Sequence, residues 1–141
     1  MINDGLNLKG KLAIALNGKV VQEVDNIVVT AGKGYVASRM KDTSATAMSH
    51  MAIGSGTTNP AAGDTALETE LGRVALTSTT VSSNVVTYVA TFAAGTGTGA
   101  VTEAGILNAS SSGTLLCRTE FSVVNKGSAD SMTITWTVTV S

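Results

Sequence analysis

The sequence predicts an all-β protein, an antiparallel β-sandwich or jelly roll with one or two short helices in its loops. Three observations point there. Residues 132–140 alternate strictly, with Met132, Ile134, Trp136, Val138 and Val140 on one face and Thr133, Thr135, Thr137 and Thr139 on the other. Such a period of two marks a half-buried strand. Asn17-Gly18 stands between Leu12–Leu16 and Lys19–Val24; this pair is the strongest short-range hairpin signal because both residues tolerate positive φ. Third, Thr and Val are the commonest strand formers in the chain, and both favour pleated, half-buried surface.

The remaining elements follow in order. A long strand is predicted from about Asn84 to Ala94, with Val86, Tyr88, Ala90 and Phe92 on one face. Another runs from about Thr114 to Val124, setting Cys117, Thr119, Phe121 and Val123 against Leu116, Arg118, Glu120 and Ser122. Shorter strands are expected at Ile27–Thr30, Met48–Ile53, Arg73–Thr79 and Ala100–Leu107. Ser110-Ser111-Ser112-Gly113 and Asn125-Lys126-Gly127-Ser128 read as turns. One helix should start after Thr30 as N-cap and carry Tyr35, Val36, Ser38, Arg39 and Met40. A second is predicted from Thr65, where Thr65-Ala66-Leu67-Glu68 has capping-box spacing, to Leu71, ending at Gly72. Eight or nine strands at near-regular spacing suit a sandwich, and helices are too few for a parallel sheet. Residues 1–141 therefore read as one jelly-roll-like domain.

Composition narrows the function. Charged residues make up 13% of the 141, against roughly 25% in ordinary soluble domains. Hydroxyls take their place, with 21 Thr and 14 Ser. Nine Lys+Arg against ten Asp+Glu leave no basic footprint, which argues against nucleic acid as a partner. No apolar run approaches the roughly 18 residues of a helical membrane span, so no membrane partner is expected. The N-terminus lacks a signal-peptide pattern and Cys117 is the single cysteine, which together predict synthesis in a reducing cytoplasm. A sparsely charged, near-neutral surface invites association.

Catalytic, cofactor and metal sites are not expected. His50 is the single histidine, and no nucleophile-elbow pattern accompanies it. One His and one Cys cannot build a tetrahedral zinc site. Asp64, Glu68 and Glu70 offer oxygens for Ca²⁺, but Asp64 and Glu68 are better read as complementing a helix N-terminus. Gly95-Thr96-Gly97-Thr98-Gly99 lacks the Lys of a phosphate-binding loop and precedes a strand rather than a helix. Cys117 reads as a buried small hydrophobe, and Trp136, flanked on its face by Ile134 and Val138, as core.

An ordered set of short motifs carries a resemblance. It begins with Ile53-Gly54-Ser55-Gly56-Thr57-Thr58-Asn59-Pro60 and Asp64-Thr65-Ala66-Leu67-x-x-Glu70-x-x-Arg73. Tyr88-x-Ala90-Thr91-Phe92, Glu103-Ala104-Gly105-Ile106, Arg118-x-x-Phe121, Lys126 and Asp130-x-Met132-x-Ile134-x-Trp136 follow. The set spans nearly two-thirds of the chain and resembles tailed-phage capsid cement (decoration) proteins. In length and in its Thr- and Gly-rich composition the chain is similar to the small cement protein of short-tailed (Bordetella-type) phages. The resemblance implies a virion structural protein on the outer surface of an HK97-type capsid, made in the host cytoplasm. Its implied partners are the major capsid protein and itself, as a homodimer or homotrimer. It transfers no catalytic residues. The alternative is a phage tail fibre, collar or baseplate-associated structural or adhesion module. Residues 1–10, with Ile2, Leu6 and Leu8 spaced by Asn and Gly, supply candidate assembly contacts. They read equally as an extended arm able to add to a neighbour's sheet and as an ordinary first strand.

Overall fold

A computed structural model describes residues 5–41 and 46–141. The chain runs β1 (Leu8–Leu16), β2 (Lys19–Val28), α1 (Thr30–Lys41), β3 (His50–Gly54), β4 (Glu70–Ala75), β5 (Ser78–Ser82), β6 (Val85–Phe92), β7 (Gly99–Leu107), β8 (Leu115–Lys126) and β9 (Met132–Val140). All pairings are antiparallel, in the order β4-β3-β7-β8-β2-β1-β9-β6-β5. The all-β, sandwich-like architecture expected from the pattern is what the chain adopts.

One strand makes the sheet fold over on itself. The first part of β2 pairs with β1, whereas Ile27 and Val28 at its end pair with Arg118 and Cys117 of β8. The two halves therefore face each other across a common core. Leu12, Ile14, Phe92, Ile134 and Trp136 come from one half, and Met51, Ile53, Val101, Ile106 and Phe121 from the other. On the side away from β2, β4 lies against β6. The Gly72 backbone there packs so close to Gly97 that a Cβ on Gly72 would sit 2.9 Å from the Gly97 nitrogen. The β6–β7 loop thus covers β4, and β5 extends beyond it.

Local chemistry explains the elements. Asn17 (φ 50°) and Gly18 (φ 82°) both occupy the left-handed region, as the β1–β2 turn requires. In β9 the alternation predicted from sequence holds: Met132, Ile134, Trp136 and Val138 are buried and Thr135 is exposed. Trp136 is fully buried, and its Nε1–H donates to Asn26 Oδ1 at 2.7 Å. The Nδ2 of Asn26 is buried without a partner among the described residues.

Three expectations are corrected. Residues 65–71 form no helix; residues 65–69 have no regular structure and β4 begins at Glu70. The amides of Glu68 and Thr69 bond a buried carboxylate from β7 instead of entering a helical turn. The segment expected as one strand over Arg73–Thr79 breaks into β4 and β5, which lie at opposite ends of the sheet. In β8, Val123 does not share the buried face of Phe121; it is exposed, and Val124 and Lys126 are buried. The register slips there, since Val101 pairs with Val124 and Glu103 with Glu120. Residues 121–123 stand opposite Thr102 alone, and this bulge reverses which side chains face inward.

Trp136→Phe keeps an aromatic ring but removes the donor to Asn26, leaving both ends of a buried amide unpaired. Urea unfolding should show a loss of about 1–3 kcal/mol; unchanged stability would mean that the hydrogen bond carries none of the packing.

Candidate assembly surfaces

The half-sheet β3-β7-β8 is covered on both faces. Its inner face forms the main core. Its outer face lies beneath the 55–69 segment, where Leu67 packs with Val29, Ala52, Leu107 and Leu115 in a second apolar cluster. A loop crossing a sheet face leaves backbone groups buried, and each needs a partner. Glu103, on the outer face of β7, supplies most of them. Its Oε2 accepts from the amides of Gly56 and Thr69, both at 2.8 Å. Its Oε1 accepts from the Glu68 amide at 2.9 Å and from Arg118 Nε at 3.0 Å.

Arg118 extends the clasp. It is 2% exposed, and Glu103 is fully buried. Arg118 Nη1 donates to Asp64 Oδ2 at 2.9 Å, and Nη2 donates to the Thr58 carbonyl at 3.0 Å. Thr102 Oγ1 adds a bond to the Gly56 carbonyl at 2.6 Å. Two glycines admit the carboxylate, since a Cβ on Gly54 or Gly56 would strike Glu103. Burial alone would push the Glu103 pKa up. The amides of Thr69, Glu68 and Gly56 and the Arg118 guanidinium outweigh it and hold the carboxyl below its ordinary value.

The acidic residues of this region therefore have partners other than those expected from sequence. Asp64 does not serve a helix N-terminus; it pairs with Arg118 and accepts from the Ala61 amide at 2.9 Å. Glu68 Oε1 accepts from the Thr57 amide at 3.3 Å. Glu70 pairs with Arg73 at 2.7 Å, and Arg73 Nη1 reaches the carbonyls of Ala109 and Ser112, both at 2.9 Å. Their carboxylates diverge, and no cluster of three or more metal-capable side chains occurs among the described residues. His50 Nδ1 lies 2.8 Å from Ser49 Oγ, its neighbour in the chain. Cys117 is fully buried, which pushes its thiol pKa up. The glycine-rich 95–99 segment joins β6 to β7, with Gly95, Gly97 and Gly99 at positive φ.

The clasped loop presents Thr57, Thr58, Asn59, Ala61 and Ala62 to solvent. A second exposed surface lies on the other half-sheet. From Val74 to Thr102 the chain carries no charged residue, and neither does β9. The registers place Thr80 of β5, Thr87 of β6 and Thr137 of β9 side by side, with Ser78, Val89 and Thr135 in the next row. Across these three strands the outer face is hydroxyl and aliphatic. Charge returns only on β1 and β2, where Lys11 faces Asp25.

Of the candidate contacts at the N-terminus, Ile2 lies outside the described residues. Leu8 opens β1 and pairs with Val140. Asn7 exchanges main-chain bonds of 2.7 and 2.8 Å with Ser141. Residues 7–10 thus belong to the sheet, in line with the first-strand reading. Leu6 stays exposed at 69% and borders a shallow groove with Val36 and Met40 of α1. Comparison with known protein families, with curated proteins and with solved structures finds no match for this chain.

Glu103→Gln should loosen the clasp. One acceptor oxygen becomes an NH2 group facing N–H donors, and Arg118 loses a buried charge partner, a class of change that costs about 3–5 kcal/mol. The 55–69 segment should become the first site of limited proteolysis. A carboxyl held below 4.5 in the folded state stabilises the fold above that pH and loses its contribution as pH falls through the lower folded value. Wild-type stability should fall on acidification below about pH 4.5 more steeply than that of Glu103→Gln; parallel curves would contradict this.

Proposed function

We propose that this chain is a virion structural protein that binds the outside of an HK97-type capsid and stabilises contacts between capsomers. Its partners in this reading are the major capsid protein and further copies of itself, and its role is non-catalytic. The observation that carries the reading is the uncharged outer face of β5-β6-β9. Soluble monomers generally place charge on such faces and on sheet edges, and a face of Thr, Ser and Val suits burial against a neighbour.

The clasped loop supports the same reading. The resemblance to cement proteins was carried by Gly54, Gly56, Asp64, Glu103 and Arg118 among others, and these residues meet in one buried cluster. What they tie down is an exposed Thr-Thr-Asn segment. A rigid polar loop loses little conformational entropy on binding. The mechanism needs no chemistry. A protein that binds the mature shell in preference to its immature form stabilises the mature state by mass action, by about 2.7 kcal/mol per site at a hundredfold excess over the dissociation constant. Many copies on one shell add their effects.

Low-resolution imaging of purified particles, with and without the protein, tests this. The expected result is extra external density at capsomer junctions, with a gel-band intensity comparable to the major capsid protein. Density confined to the tail, at a small fraction of that intensity, would replace this reading with a tail-associated module.

A further inference from the structure

The sheet has two ends, and they are treated differently. The β4 end is covered by β6 and the β6–β7 loop. The β5 end is open. All five residues of β5, Ser78-Thr79-Thr80-Val81-Ser82, are exposed. The strand contains none of the Lys, Pro or inward charge that ordinarily blunts a free edge. Val81 is uncovered there. It pairs with Val86, a residue packed on the core, yet is itself 70% exposed because β5 overhangs the facing sheet.

The β5–β6 turn determines which groups point outward. Ser82 and Val85 flank a two-residue turn, and such a flanking pair exchanges both main-chain bonds. Ser82, Thr80 and Ser78 therefore direct N–H and C=O toward β6, and Thr79 and Val81 direct theirs to the open edge. We propose that a second copy of this chain pairs antiparallel with this edge, β5 against β5 about a two-fold axis at Thr80. In that register Thr79 lies opposite the partner copy's Val81, and the four outward N–H groups find four outward carbonyls. Ser78 meets Ser82, and Thr80 meets its own copy. The strand reads nearly the same in both directions, so every pair matches in size, β-branched residues face each other, and no like charges meet. On the core side each Val81, uncovered in the single chain, meets the partner copy's Thr79 and lies diagonal to the partner copy's Val81. A two-fold contact joins the same edge of both copies, so the assembly closes at two. The inference rests on the reading that copies of the chain associate; it needs no capsid.

The test uses the isolated protein, with light scattering for mass and oxidative cross-linking for register. Thr80 facing its copy is a non-hydrogen-bonded pair, with Cα atoms about 4.5 Å apart, inside the disulfide range of about 4.4–6.8 Å. Thr80→Cys should therefore cross-link on oxidation. Ser82→Cys should not, since at about 3.3 Å per residue it lies about 13 Å along the strand from its own copy. Buried Cys117 should leave the unsubstituted chain uncross-linked. Wild type should have twice the chain mass, and Val81→Lys should weaken the dimer about tenfold or more while its circular dichroism spectrum stays that of the wild type. A monomeric or trimeric wild type overturns the proposal. So does a dimer that survives Val81→Lys and does not cross-link through Thr80→Cys; that outcome moves self-association to another surface and leaves capsid binding untouched.

Discussion

The Glu103 carboxylate accepts four N–H groups in a fully buried position, and the outer half of the molecule is organised around that requirement. An ionised carboxylate out of water is costly unless every lone pair is used. Here the donors come from three segments distant in sequence: Gly56, then Glu68 and Thr69, and Arg118. Satisfying one group thus fixes the course of the 55–69 segment over β3, β7 and β8. The glycines at 54 and 56 follow from the same constraint, since a side chain at either would occupy the carboxylate's place. Asp64 follows from it as well, because Arg118 spans from Glu103 to Asp64.

That dependence separates what could be read from the chain from what could not. Strands whose pattern is set by a single buried face were legible: β9 by its alternating Thr, β6 by Val86 to Phe92, and the β1–β2 hairpin by Asn17-Gly18. The misread elements are those decided by partners remote in sequence. Thr65 to Glu68 carries a sound local capping signal, but the Glu68 amide is taken by a carboxylate 35 residues away. Arg118 alternates out of the core as expected, yet is buried because a loop covers that second face. Val123 was assigned inward by a period that the bulge opposite Thr102 interrupts. In each case a polar or register requirement overrode the local signal.

The same division applies to the assembly surfaces. Low charge was visible as a number, but its location was not. The fold sets the uncharged strands β5, β6 and β9 side by side, so a diffuse compositional trait becomes one continuous face ending at the β5 edge. Leu6 and Leu8, named from spacing alone, both border the groove beside α1, and Leu8 also opens β1. The motif residues quoted from the sequence are mainly scaffold: they build a clasped loop and a packed core, and the exposed surface falls to the plainer Thr, Ser and Val positions between them.

Amide hydrogen exchange followed residue by residue measures the clasp most directly. The account predicts strong protection at Gly56, Glu68 and Thr69, well above that of their neighbour Ala66, and predicts that Glu103→Gln removes it at all three together while β9 stays protected. Protection at these three amides no greater than at Ala66, or loss at one without the others, would contradict the claim that a single buried carboxylate holds the loop in place.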